Sequence, residues 1–297
     1  GQNIREEGPE GHKTKEGTPT MGGVLIWFAV LIAYVVFSRF SVASLTVFIA
    51  AVGNALIGFA DDWIKIVRRR SLGLSARYKL LLQLLLSLFI GFVALRFVWV
   101  TTAVDVPFTD YELELGVWGF YALIFLTLAG FSNAVNLTDG LDGLAAGASA
   151  IVLVAMAGIA FIIGRNTSDP GLTDLMVIAG CVGGAALGFL WYNAFPADVF
   201  MGDTGSLAIG GTMAVVSVLL KQEMLFPLLG GLFVSEALTS QIQDKIGVRW
   251  IGRRIFYRAP LHHNLQHKGM AETKVVIRLW IVSGILALIS LATLKLR

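Results

Sequence analysis

Residues 144–164 read LAAGASAIVLVAMAGIAFIIG, a run of 21 residues without one charged side chain. At 1.5 Å per residue, a helix of that length covers about 31 Å, the thickness of a bilayer's hydrocarbon. Apolar residues surround the whole helix, so no face of it suits water. Working outward, the same reading applies to 21–40, 44–60, 80–100, 118–138, 174–194, 205–220, 225–243 and 275–295, which makes nine such stretches in 297 residues. Composition agrees: 56% of residues are hydrophobic, 14% are charged and the mean hydropathy is +0.75, far from the balance of a soluble domain. The expected architecture is all-α, a polytopic transmembrane helical bundle. It should form a single domain over residues 1–297, since the loops are short and neither repeats nor long linkers divide the chain. A large soluble helical core would need charged outer faces, and a β-barrel would need alternating segments of about ten residues; neither pattern is present.

Cytoplasmic loops retain Lys and Arg, which sets the orientation. With residues 1–20 inside, the inside segments 1–20, 65–79, 136–143, 194–204 and 244–274, with Arg278 just beyond, hold 17 of the 23 basic residues. The runs Arg68–Arg70 and Arg253–Arg254 have this topogenic role, reinforced by anionic headgroups. A net charge of +3 is explained by topology and gives no reason to expect nucleic acid as a partner. The lone Cys181 is a small packing residue and allows no internal disulfide. Gly180, Gly184 and Gly188, at four-residue spacing, are expected to serve close helix packing.

Acidic and amide residues gather where the stretches end on the inside face, and a carboxylate at the bilayer centre costs roughly 2.5–3.5 kcal/mol. The second stretch ends Gly58-Phe59-Ala60-Asp61-Asp62-Trp63-Ile64-Lys65, and the fourth runs into Asn136-Leu137-Thr138-Asp139-Gly140-Leu141-Asp142-Gly143. The sixth leads to Phe200-Met201-Gly202-Asp203-Thr204-Gly205-Ser206. Each alone has an ordinary explanation, because Asp and Asn cap helices and Gly follows them in turns. Three on one side, at the headgroup level, point to one anionic pocket. Beside basic residues, such a pocket suits Mg2+-dependent chemistry on a diphosphate, since Mg2+ takes one or two carboxylates plus phosphate oxygens. Lys65, one turn after Asp61, either pairs with it or points at a phosphate.

The last inside loop contains Ala259-Pro260-Leu261-His262-His263-Asn264-Leu265-Gln266-His267. In a loop after Pro260 the adjacent histidines can face one site. Zinc is disfavoured, because no Cys or Glu nearby completes a tetrahedron with His262, His263 and His267; phosphate contact is the better reading. Glu236, inside the eighth stretch, is a functional candidate by its position, with a helix-to-helix hydrogen bond as the plain alternative.

Together, Gly17–Gly23, Ala60–Asp62, Asn136–Gly143, Met201–Ser206 and Ala259–His263 resemble the phospho-N-acetylmuramoyl-pentapeptide transferases of the polyprenyl-phosphate N-acetylhexosamine-1-phosphate transferase superfamily. The resemblance runs from Gln2 to the last stretch. Asn264 stands where that family has a third consecutive histidine, and Leu265-Gln266 where it typically has Phe-Glu. Family members have ten spans with an outside N-terminus, so the resemblance implies one span preceding these nine.

It implies transfer of phospho-MurNAc-pentapeptide from UDP-MurNAc-pentapeptide to undecaprenyl phosphate, giving lipid I and UMP for peptidoglycan. Carried over by motif, Asp61, Asp62 and Asp203 would be catalytic, with Asp203 the Mg2+ ligand and Asp61 acting on the lipid phosphate. Asn136, Asp139, Gly140, Leu141 and Asp142 would hold the nucleoside, with Phe200 stacked on uracil. Lys15, Thr20, His262 and His263 would close over the diphosphate or sugar, with Lys65 and Gly202 beside them. A homodimer in the bacterial inner membrane is implied, surrounded by lipid, with its active site on the cytoplasmic face. Two rival functions are a GlcNAc-1-phosphate transferase sharing the Asp motifs and a lipid transporter without chemistry. The Thr18–Gly23 segment and the histidine pair speak against the first, and the one-sided acidic residues against the second.

Overall fold

The computed structural model describes residues 17–68, 72–107, 109 and 111–294. The apolar stretches become α1 (Gly23–Phe37), α2 (Val42–Val67), α3 (Ala76–Val93), α4 (Gly116–Thr138), α5 (Leu144–Thr167), α6 (Pro170–Asn193), α7 (Gly202–Leu219), α8 (Phe226–Leu229), α9 (Gly231–Gln241) and α11 (Glu272–Thr293), with a short α10 (Leu261–His267) before the last. Helices α3 and α9 run on as π-helical turns over Ala94–Val98 and Ile242–Ile251. Among the described residues, seven helices, α2 to α7 and α11, are long and apolar enough to cross a membrane. The chain is an all-α, multi-pass membrane protein. Its strands among the described residues are β1 (Ala103–Asp105) and β2 (Glu112–Glu114), an antiparallel hairpin with Ala103 opposite Glu114.

Three expectations are corrected. Helix α1 has 15 residues, which is about 22 Å of helix and short of the roughly 30 Å core. The stretch 225–243 is broken between α8 and α9 at Gly230-Gly231, the residues that gain least from helical backbone. A Cβ at Gly180, Gly184 or Gly188 would meet nothing within 4 Å among the described residues; the close contact of α6 with α5 is made instead at Gly183, against Leu153.

Helix α7 is buried along its length, with α2 and α4 packed against it. Side-chain hydrogen bonds fix the neighbours: Asn54 Oδ1 on α2 accepts from Ser132 of α4 at 3.2 Å and from Gln83 of α3 at 3.5 Å, and Gln83 Oε1 accepts from Asn133 at 3.0 Å. In lipid each such bond adds on average about 0.6 kcal/mol. The chain reverses at each helix, so the ends of α2, α4 and α6 meet the starts of α3, α5, α7 and α11 at one end of the bundle.

The opposite end carries the hairpin, whose Thr101 and Ala103 carbonyls accept from Lys221 Nζ. Beside it Glu223 is buried, with the Lys221 ammonium 3.7 Å from Oε1. Burial raises the Glu223 carboxyl to about 7, opposed by Lys221 and helped by Asp105.

Candidate active site

Helix α2 delivers Asp61, Asp62 and Lys65 in its last two turns, α3 delivers Lys79 in its first turn, and α7 delivers Asp203 in its first turn. Lys65 Nζ lies 2.6 Å from Asp61 Oδ2, 3.0 Å from Asp203 Oδ1 and 3.6 Å from Asp62 Oδ1. Lys79 Nζ lies 3.0 Å from Asp61 Oδ1 and 2.6 Å from Asp203 Oδ2. Each ammonium therefore bridges Asp61 and Asp203. All three carboxylates are buried, and the two cations keep them from being stranded there as unpaired charges.

Asp62 has a different set of partners. Its Oδ2 accepts from the Thr204 backbone N–H at 2.9 Å and the Thr204 hydroxyl at 2.8 Å, and its Oδ1 accepts from the Asp203 N–H at 3.2 Å. These N–H groups open α7, where no carbonyl of the same helix can reach them. Asp62 thus caps α7 from another helix and holds the backbone of Asp203. Gly202 permits the approach: its φ is +75°, and a Cβ there would lie 2.8 Å from Asp62 Oδ2.

Carboxylate oxygens of Asp61, Asp62 and Asp203 come within 4.8 Å of one another, the group among the described residues that could hold a metal ion. An all-oxygen donor set suits a hard divalent cation. Because the oxygens of Asp62 are taken up by α7, Asp61 and Asp203 fit that task best. Apart from the Leu74 N–H, which donates to Asp61 Oδ1 at 2.6 Å, their partners are flexible lysine ammoniums that can move aside.

Around this cluster several of the predicted residues are tied to neighbouring backbone and side chains. Asp139, half-buried at the end of α4, accepts from the Gly202 N–H, and its carboxyl is raised to about 7 by burial and by Asp203 and Asp62 nearby. Asn136 donates to Ser206 Oγ at 2.9 Å. Asp142 Oδ2 accepts from the Ala197 N–H at 3.1 Å, so part of its capacity secures the segment before Phe200. Leu141 lies in the core, which leaves only its backbone for a ligand. Phe200 is half-buried, and its backbone pins the first segment: its N–H donates to Pro19 O at 2.8 Å and its carbonyl accepts from Gly22 N at 2.9 Å. Thr20 lies between those two bonds, half-buried; Lys15 lies outside the described residues. The histidine segment is helix α10 rather than a loop, yet the adjacent rings of His262 and His263 stay together, their centroids 4.2 Å apart: His262 is buried, while His263 is half-buried with Nδ1 3.2 Å from Gln266 Oε1.

With this geometry in place, known proteins are informative. The model of glycosyl transferase family 4 matches residues 44–221, and signature 1 of the phospho-N-acetylmuramoyl-pentapeptide-transferases matches residues 15–26. The phospho-N-acetylmuramoyl-pentapeptide-transferase of Rubrobacter xylanophilus is 47% identical over 289 residues, covering 96% of this chain and 85% of the relative. The chain belongs to this transferase family. Two other members, from Thermodesulfovibrio yellowstonii and Geobacillus, are 44% and 43% identical, over 100% and 98% of this chain and 85% and 88% of their own lengths.

The segment matched to family 4 contains the whole acidic cluster, whereas Glu236 and His262 lie beyond it. Beside the acidic cluster, Lys79 is the residue that the sequence marked only as one of the basic residues of the inside segments. Its position in the first turn of α3, on the same face as the Asp motifs, was the available signal.

Proposed function

We propose that this chain transfers phospho-MurNAc-pentapeptide from UDP-MurNAc-pentapeptide to undecaprenyl phosphate, forming lipid I and releasing UMP. The observation that carries this reading is the cluster in which Lys65 and Lys79 each bridge Asp61 and Asp203 at one end of a membrane bundle. Paired ammoniums and oxygen donors for a cation are what a diphosphate and an incoming phosphate require.

An oxygen of the acceptor phosphate attacks the sugar-bearing phosphorus, the bond from that phosphorus to the bridging oxygen breaks, and the bridging oxygen leaves within UMP. The acceptor monoester is already largely ionised near neutral pH, so Asp61 is not needed as a base and serves to position it. Lys65 and Lys79 turn from the carboxylates to donate to phosphate oxygens. Asp203, with Asp61, would hold Mg2+, which when bound neutralises charge gathering on the bridging oxygen. Asp62 acts by keeping Asp203 in place. Asn136, Asp139, Asp142 and the backbone of Gly140 and Leu141 hold the nucleoside, with the Phe200 ring on uracil. Lys15, Thr20, Gly202, His262 and His263 face the diphosphate and sugar. The excess of basic residues on this side supports a cytoplasmic site in the inner membrane, and the family resemblance supports a homodimer.

The test is UMP release by purified protein given undecaprenyl phosphate and either UDP-MurNAc-pentapeptide or UDP-GlcNAc. Release from the first alone is expected. Release from UDP-GlcNAc alone, or from neither, overturns the reading.

A further inference from the structure

Two ionisable side chains meet in the interior. Glu236 of α9 and His262 of α10 are both 0% exposed. The two Glu236 oxygens each lie 3.3 Å from the His262 backbone N–H, and Oε2 lies 3.1 Å from ring Nδ1. Because Oε2 is held against Nδ1, the ring cannot turn without losing this contact. The other ring nitrogen, Nε2, is buried and has no hydrogen-bond partner among the described residues. It abuts the turn after α4: a Cβ on Gly140 would lie 2.4 Å from it.

A buried polar atom left unpaired costs about 1–3 kcal/mol, and an apolar side chain of similar size would avoid that cost. A hydrogen bond serving only to join α9 to α10 explains Nδ1 but not the orphan nitrogen. A ligand hydrogen bond at Nε2 explains both.

We infer that Glu236 is a positioning residue which, by fixing the His262 ring, aims Nε2 at the diphosphate of the nucleotide substrate beside Gly140. This rests on the transferase reading above. The backbone bond sets where α10 begins, and the ring bond sets which way the imidazole points. Glycine at 140 leaves room for the imidazole to lie against this turn, where a Cβ would lie 2.4 Å from Nε2.

The test measures kcat and the KM of each substrate for Glu236→Gln, Glu236→Asp, Glu236→Ala and His262→Ala. Glu236→Gln keeps an acceptor at the same reach and should stay within about 3-fold of wild-type kcat/KM, while Glu236→Asp keeps the charge but falls one methylene short and should lose about 10-fold or more. The loss should appear in the KM for UDP-MurNAc-pentapeptide and leave that for undecaprenyl phosphate unchanged. Adding Glu236→Ala to His262→Ala should cost less than about 2-fold more, because the two act as one unit. The near-isosteric Gln and Asp pair keeps the comparison usable if the alanine variant does not fold. The proposal fails if Asp outperforms Gln, if the Glu236 and His262 losses add in full, or if both KM values move together. Wild-type protein that releases no UMP overturns the transferase reading itself.

Discussion

Replacing Asp62 with alanine separates a clamp on α7 from a group that touches substrate. The change strands the backbone N–H groups of Asp203 and Thr204, which now donate at 3.2 and 2.9 Å; the Thr204 hydroxyl, at 2.8 Å, can rotate elsewhere. At about 1–3 kcal/mol for each stranded buried donor, the loss is about 2–6 kcal/mol before relaxation. Roughly 2–4 °C per kcal/mol for a chain of this size gives a fall in Tm of about 4 °C or more. The start of α7 also loosens, and misplacing Asp203 by about 1 Å costs about 10²-fold in kcat. Asp62→Asn should be milder, since its amide oxygen can still serve Thr204 while its NH2 opposes the Asp203 N–H. Asp61→Asn is the control: it keeps an acceptor for the Leu74 N–H, which donates at 2.6 Å. It should lower kcat about 10²-fold with little change in Tm. UMP release gives the rates, and melting in detergent gives the stability. If Asp62→Ala melts like wild type and still loses kcat as Asp61→Asn does, Asp62 acts on the substrate and the clamp is wrong.

Gly58→Ala places a Cβ 2.2 Å from the Asp203 carbonyl oxygen; it should cost about 1–3 kcal/mol and reduce kcat, and a wild-type turnover number would refute the close approach. Glu223, raised to about 7 by burial, holds its proton in the folded state at pH values where the unfolded chain has lost it. Its contribution to stability is therefore complete below about pH 4.5 and lost as pH rises through about 7. Glu223→Gln should melt above wild type at pH 8 and alongside it at pH 4.5; parallel curves at both would contradict the shift. In a Cys181→Ala background, Tyr111→Cys should react with an impermeant maleimide in intact cells and Leu72→Cys should not, and the reverse pattern would invert the topology.

Much of the molecule was legible without a fold. Although the second stretch, expected to end at 60, continues as helix to Val67, the apolar stretches and the shared end at which Asp61, Asp139 and Asp203 fall follow from the transfer of each segment between water and lipid. That quantity is local and nearly additive along the chain. Where it failed, a local competitor intervened, as at Gly230-Gly231, where a run hydrophobic enough to span is not rigid enough to remain one helix.

What only the tertiary structure decided is the division of labour among like residues. Asp61 and Asp62 are adjacent and chemically identical, yet a helix turns about 100° between them. One therefore faces Lys65 and Lys79, and the other meets the start of α7, 141 residues further along. Lys79 joins the site because α3 packs beside α2, and Glu236 meets His262 because α9 and α10 pack together. Such roles depend on partners brought close by helix packing, and hydropathy and residue type say nothing of which helix will lie alongside.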